Sequence, residues 1–327
     1  MQEQIEGHPL ADQFNRLTPE QVIDAVEVQG ARCTGRFFAL NSYENRVYQL
    51  ELEDQRTVVG KFYRPGRWTT PAILEEHEFA LELERAEVPV VAPEVHDGRT
   101  LFELGGFRFA VYRRQGGHWP ELGTSDERKR MGRFLARIHS IGRVRPFRHR
   151  ARLDWRVMGG ETVDYLLEAG WIPPHIEAAY ASVADDALAL IEQRFAEATP
   201  YRTLRLHGDC HPGNVLWTDG GPHFVDLDDC MTGPAVQDLW MLISGRPEER
   251  SAQLHDLLEG YGEFADFDWH ELSLIEPLRT LRIMHYAGWL ARRWDDPAFP
   301  RAFPWFEEPK YWEQHVLDLR EQIAAME

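Results

Sequence analysis

The chain has 327 residues, long enough for one large domain or two lobes, and its 43% apolar residues are ample for a core. No apolar run approaches the roughly 18 residues of a membrane span, so none is expected. With 36 Lys plus Arg against 54 Asp plus Glu, the formal net charge is −18, which opposes nucleic acid and anionic membranes at long range. That charge favours a basic partner or simply solubility, and does not choose between them. Three cysteines (Cys33, Cys210 and Cys230), odd in number and without metal-ligand spacing, favour a reducing compartment. The polar start Met1-Gln2-Glu3-Gln4-Ile5-Glu6 lacks the basic and apolar regions of a signal peptide. A cytoplasmic monomer is expected.

The N-terminal third alternates as a sheet. Runs at Arg36 to Leu40, Val47 to Leu52 and Thr57 to Tyr63 are separated by Asn41-Ser42-Tyr43-Glu44-Asn45 and Glu53-Asp54-Gln55-Arg56. Lys61 lies inside the third run, where a lysine among apolar residues either needs an anionic partner or sits on a solvent-facing edge. A helix follows, with Thr70 as expected N-cap and Pro71 in the first turn. Its acids, Glu75, Glu76, Glu78, Glu82 and Glu84, include a candidate partner for Lys61. Phe109 to Tyr112 reads as a strand, and the polar Arg113-Arg114-Gln115-Gly116-Gly117 after it as a hinge between lobes 1–112 and 113–327.

The second lobe opens on the capping pattern Thr124-Ser125-Asp126-Glu127. Met131, Phe134, Leu135, Ile138 and Ile141 then mark one helical face, with His139 at its border. Between Arg143 and Arg156 stand six arginines, Arg143, Arg145, Arg148, Arg150, Arg152 and Arg156. Such a run either receives an acidic segment or is a loop paired with nearby acids. Glu177 to Ala198 is helical and delivers the chain to Leu204-Arg205-Leu206. Helices are expected at about 248–261, 268–290 and 310–325, with Asp268 and Glu271 as a capping pair. Between Trp289 and Trp312, eight aromatic residues interleave with four prolines. They form either a wall for an acceptor or a stiffened segment packed on the last helices.

The chemistry is concentrated at His207-Gly208-Asp209-Cys210-His211-Pro212-Gly213-Asn214. The apolar run Val215-Leu216-Trp217, the turn Asp219-Gly220-Gly221 and a second run, His223 to Leu227, follow. Such a hairpin brings Asn214 and Asp226, placed symmetrically about Gly220, to one end of the ladder, where Asp209 also arrives. An amide oxygen and a carboxylate there suit Mg²⁺, which takes few protein oxygens and completes its shell with phosphate and water. The spacing matches the kinase pattern H-R-D-x-x-x-x-N followed by D-F-G. Asp209 then orients and deprotonates the acceptor hydroxyl, and Asn214 and Asp226 hold the metal. Asp228 or Asp229 is the candidate for a second metal or an assisting hydrogen bond. Lys61 neutralises the ATP phosphates, Ser42 on the glycine-free loop contacts them, and backbone groups near Val111 read the adenine.

H-G-D-x-x-x-x-N with D-x-D resembles the aminoglycoside phosphotransferase and choline kinase branch of the protein-kinase-like fold. Further stretches, Leu40-Asn41-Ser42-Tyr43-Glu44-Asn45-Arg46-Val47, Ile73-Leu74-Glu75-Glu76-His77 and Gly233-Pro234-Ala235-Val236-Gln237-Asp238-Leu239-Trp240, make the chain similar to the bacterial stress response kinase A family over nearly its whole length. The resemblance implies an α+β, bilobal fold with a small β-rich N-lobe and a larger, mainly helical C-lobe. It implies a cytoplasmic serine/threonine protein kinase using ATP and Mg²⁺, tied to envelope stress and survival under programmed-death conditions. By family spacing Glu76 is the partner of Lys61, with Glu78 as the alternative, and Asp238 ties its helix to the catalytic loop. The residues alone imply phosphoryl transfer to a hydroxyl. Two other readings stay open: a small-molecule kinase acting on an amino alcohol, sugar or aminoglycoside, and a nucleotide-binding scaffold without catalysis.

Overall fold

The structure, a computed structural model, describes residues 14 and 16–327. The start at 1–6, on which the expectation about a leader rested, lies outside the described residues. A short helix α1 (Pro19–Glu27) precedes the sheet, capped by Thr18 and Gln21 in a reciprocal capping box. Sequence reading missed it. Its buried face is only Val22, Ala25 and Val26, too short a stripe to reveal a period.

Five antiparallel strands follow: β1 (Cys33–Ala39), β2 (Arg46–Leu52), β3 (Thr57–Phe62), β4 (Phe102–Leu104) and β5 (Phe107–Arg113). They are ordered β1-β2-β3-β5-β4. β1 begins three residues before the expected run, where a register shift between Cys33 and Phe37 interrupts the alternation that a sequence reading depends on. Helix α2 (Thr70–Arg85) packs between β3 and β4 in the chain. Its N-cap is Thr69, whose hydroxyl accepts from the Ala72 N–H, so Thr70 is already inside the first turn.

The second lobe is mainly helical, as expected. Helix α3 (Ser125–Gly142) starts at the Thr124–Glu127 capping box and crosses the later helix α7 (Pro247–Gly262) at backbone contact. A Cβ on Gly132 would meet the Leu257 carbonyl oxygen at 1.9 Å, and one on Gly260 the Lys129 carbonyl oxygen at 2.0 Å. Between them lie α4 (Glu161–Glu168), α5 (Glu177–Ala198), β6 (Leu204–Leu206), the hairpin β7 (Val215–Thr218) and β8 (Gly221–Phe224), β9 (Met231–Gly233) and α6 (Gln237–Trp240). The expected helix at 268–290 is instead a 3₁₀ turn, Trp269–Leu274, followed by α8 (Ile275–Arg292). Asp268 caps that turn through the His270 N–H, but Glu271 turns inward and accepts from the buried Val236 N–H. The chain ends with α9 (Ala298–Ala302) and α10 (Pro309–Met326).

Both undecided segments are packed. In the arginine run, Arg145 pairs with Glu78 at 2.8 Å and with Glu82, and Arg150 is buried. The backbone N–H groups of Arg148, His149 and Arg150 all donate to Glu75. The run is a loop bound to the acids of α2. In the aromatic segment, Phe299, Phe306 and Trp312 are core residues, and the Phe303 ring centroid lies 4.9 Å from that of Tyr43 in the opposite lobe. Among the described residues no helix is long and apolar enough to cross a membrane.

Candidate active site

The catalytic loop leaves β6 and is held from beneath. Asp238, wholly buried on α6, accepts from the backbone N–H of His207 (2.9 Å) and Gly208 (2.8 Å) and lies 3.1 Å from His139 Nε2. Gln237 Nε2 donates to the Gly208 carbonyl at 2.9 Å. Gly208 has φ +85°, and a Cβ there would meet the Asp229 carbonyl oxygen at 2.1 Å. That approach explains why glycine stands where the kinase pattern has arginine.

Asp209 and Asn214 are joined directly. Asn214 Nδ2 donates to the Asp209 carbonyl (2.9 Å) and carboxylate (3.1 Å). The other carboxylate oxygen accepts from Arg282 Nη1 on α8 at 2.6 Å, and His211 Nε2 lies 3.4 Å from the oxygen that Asn214 binds. Burial alone would raise the pKa of Asp209. The bond to His211 and the charge of Arg282 outweigh it and bring the pKa down to about 2. Nothing in the sequence pointed to Arg282, 73 positions further on.

The hairpin pairs Val215 with Phe224 and Thr218 with Gly221, so its centre falls between Asp219 and Gly220. Asn214 is therefore opposite Val225, whose N–H donates to the Asn214 carbonyl at 3.0 Å, and Asp226 stands one residue beyond the expected symmetric position. Asp226 adopts a left-handed conformation (φ 57°, ψ 67°). In this turn its carboxylate lies 2.8 Å from Lys61 Nζ. An aspartate tolerates that conformation better than most residues.

Lys61 is buried, paired across the sheet with Val47 and Ala110. It faces three carboxylates: Asp226 at 2.8 Å, Asp228 at 3.2 Å and Glu76 at 3.4 Å. Burial alone would lower its pKa, but these acids hold it well above the usual lysine value. Burial pushes Glu76 up to about 7 against the pull of Lys61. Of the two helix acids considered, Glu76 meets Lys61, while Glu78 pairs with Arg145.

Asp228 is buried, paired with Lys61 and Arg67, and accepts from Asn45 Nδ2 at 3.0 Å. Asp229 is tied to the same arginine. Arg67 has no counterpart in the motif and was missed, because its partners lie about 160 residues away.

A cleft of about 410 Å³ lies between the lobes, lined by Ser42, Val47, Lys61 and Tyr112 above and by Asn214, Leu216 and Asp226 below. A groove beside Leu74 on α2 is larger, about 470 Å³, but has no such convergence of charges. Val111 is not on this cleft. Its carbonyl accepts from the Glu94 N–H at 2.7 Å as part of the interior, and Tyr112 to Gln115 line the cleft instead. Of the backbone expected to read adenine near Val111, the part that reaches the cleft is the residues just after Val111.

The donor set suits Mg²⁺. Asn214 has its amide nitrogen committed to Asp209, which leaves its oxygen for an ion, and the Asp226 side chain is half exposed to the cleft. Among the described residues no group of three or more His, Cys, Asp or Glu is placed to hold a metal ion by itself. Two hard oxygens sharing an ion with phosphates match how Mg²⁺ is usually held.

The phosphotransferase enzyme family matches residues 37–275. Stress response kinase A of Escherichia coli (strain K12) is 45% identical over 314 residues, covering 96% of this chain and 95% of that protein. Serine/threonine protein kinase RdoA of Salmonella typhimurium (strain LT2) is 45% identical over 313 residues, covering 96% and 94%. Among solved structures, spectinomycin phosphotransferase in complex with ADP and spectinomycin matches with a TM-score of 0.67 at 17% identity, over 94% of this chain and 98% of that one. At that identity the likeness is one of fold.

Proposed function

Because this chain belongs to the phosphotransferase enzyme family, and within it to the stress response kinase A family, we propose that it is an ATP- and Mg²⁺-dependent serine/threonine protein kinase of the bacterial stress response, working in the cytoplasm. The observation that carries this reading is the meeting of Lys61, Asp226 and Asn214 on one interlobe cleft, with Asp209 bonded to Asn214 beside it. Lys61, braced by Glu76, neutralises the phosphates, and Ser42 contacts them from the covering loop. Asn214 and Asp226 offer the oxygens for Mg²⁺, which when bound neutralises charge on the phosphate chain.

Asp209 positions the acceptor hydroxyl. The hydroxyl oxygen forms a bond to the γ-phosphorus as the bond from that phosphorus to the ADP oxygen breaks, and the hydroxyl proton passes to Asp209. With a pKa of about 2 the carboxylate is a weak base. It acts mainly by orientation and accepts the proton late, consistent with a loose phosphoryl-transfer transition state.

The test is incubation with labelled ATP followed by mass spectrometry. Asp209→Ala and Asp226→Ala are expected to abolish autophosphorylation, with ATP binding better preserved in the first. Full activity of the Asp209 variant refutes the assignment. A small-molecule kinase is the second reading, favoured by the fold shared with spectinomycin phosphotransferase. ADP release driven by small alcohols, with no transfer to proteins, would select it.

A further inference from the structure

The face of α8 that looks onto Asp209 is cationic. Arg282, His285, Tyr286, Trp289, Arg292 and Arg293 recur at helical spacing on one side. Its two ends are anchored by contacts: Arg282 donates to Asp209, while Trp289 Nε1 and Arg293 donate to Glu44 on the covering loop at 2.7 and 2.9 Å. Arg282, Tyr286 and Arg292 are exposed. The protein packed around the His285 ring, together with the positive charge of Arg292, Arg282, Arg67 and Arg293, brings its pKa down to about 4, so four guanidinium groups act on one imidazole.

Two of these four are fully committed, Arg67 to Asp228 and Asp229 and Arg293 to Glu44. Arg282 has Asp209 alone. Arg292 donates only to the Thr162 hydroxyl and the Glu161 carbonyl, at 3.5 and 3.4 Å, and lies over the Tyr165 ring. An acceptor hydroxyl must reach the carboxylate that Arg282 occupies. A cationic acceptor would set like charge beside Arg282. An anionic one would take the guanidinium in a charge-assisted bond and release the Asp209 oxygen for the hydroxyl.

Resting on the phosphotransferase reading above, we infer that the acceptor is an alcohol with an anionic group next to it, in protein form a serine or threonine in an acidic segment. Arg282 reads the neighbouring acid, and Arg292 reads a second one. Ten residues of helix separate the two arginines by about 15 Å. That distance corresponds to about four or five residues of extended peptide. The local charge therefore runs against the basic acceptor that a net charge of −18 favours.

The experiment measures transfer from labelled ATP by the full-length protein to four acceptors. They are a serine peptide with glutamates beside and five positions from the serine, the same peptide with lysines, glycerate, and 1-amino-2-propanol. The acidic peptide should exceed the basic one in kcat/KM by about tenfold. Arg292→Glu should reverse the preference between the peptides through peptide KM, with KM for ATP unchanged. Equal use of both peptides, preference for the basic one or for the amino alcohol, or an unaltered ratio in Arg292→Glu overturns the inference while leaving phosphotransfer intact. Transfer to glycerate but to neither peptide supports the anionic acceptor and overturns the protein-kinase choice. No transfer to any acceptor overturns the phosphotransferase reading and this inference with it.

Discussion

Glu76 Oε2 and Arg150 Nη1 face each other across 3.9 Å, both buried and neither making a hydrogen bond within the protein. Glu76 thus stands between a cation of its own lobe, Lys61, and a cation delivered by the arginine-rich loop of the other. Arg150 also donates to the carbonyls of Cys230 and Asp228 and lies 3.8 Å from the Trp68 ring centroid. With Glu75 accepting three backbone N–H groups from the same loop, α2 is latched to the C-lobe beside the Lys61–Glu76 pair.

The pH dependence should reveal that latch. Burial raises Glu76 to about 7, so the carboxylate is ionised above that pH and protonated below it. As pH falls through 7 the brace on Lys61 weakens, and kcat/KM for ATP, which reports the free enzyme, should fall with it. Glu76→Gln should remove this acidic limb, and Arg150→Met should move it to higher pH because Arg150 favours the ionised form. An acidic limb of the pH profile unchanged in Glu76→Gln would show that another group titrates there.

Asp238→Asn should loosen the catalytic loop without touching the cleft. One amide oxygen cannot replace a carboxylate that accepts from two backbone N–H groups and meets His139. A fall in kcat of about 10²-fold is expected, the size of a 1 Å misplacement. KM for ATP should stay within a factor of about two, since Lys61 and α2 are undisturbed. Steady-state kinetics beside a melting curve check both.

Gly208→Ala should destabilise the fold by about 2–4 kcal/mol, from a positive φ and from contact with the Asp229 carbonyl oxygen. Urea unfolding measures it. A loss below 1 kcal/mol would mean that the turn at Leu227–Asp229 moves aside easily.

Asp296→Ala should open the interlobe contact at the covering loop. Asp296 is buried and pairs with Arg64 at 2.9 Å and Arg46 at 3.1 Å, both from the N-lobe. Removing it takes one of two carboxylates from the buried Arg64, which keeps Glu44, and the carboxylate partner of the partly buried Arg46, a cost of about 1–3 kcal/mol. KM for ATP should rise as the Tyr43–Glu44 tip loses its anchorage. Replacement by Asn should recover part of the stability, read by calorimetry.

What the sequence determined by itself was local. The spacing from Asp209 to Asn214 and on to Asp226 implies that loop and hairpin, and hence a shared end for the three residues, because a two-residue turn closes a ladder in few ways. Lys61 stood out because a charge inside an apolar strand needs a partner. Even here register escaped by one residue, since the turn centre depends on which strand residues pair. Tertiary packing decided everything that rests on distant partners: Arg282 on Asp209, Arg67 on Asp228, Arg150 behind Glu76, and the lining of the cleft by Tyr112 to Gln115 rather than by Val111. Arginines on different elements look alike in sequence. An ion pair forms where two side chains arrive in the same low-dielectric space, and that is set by the way the lobes pack rather than by the spacing of residues along the chain.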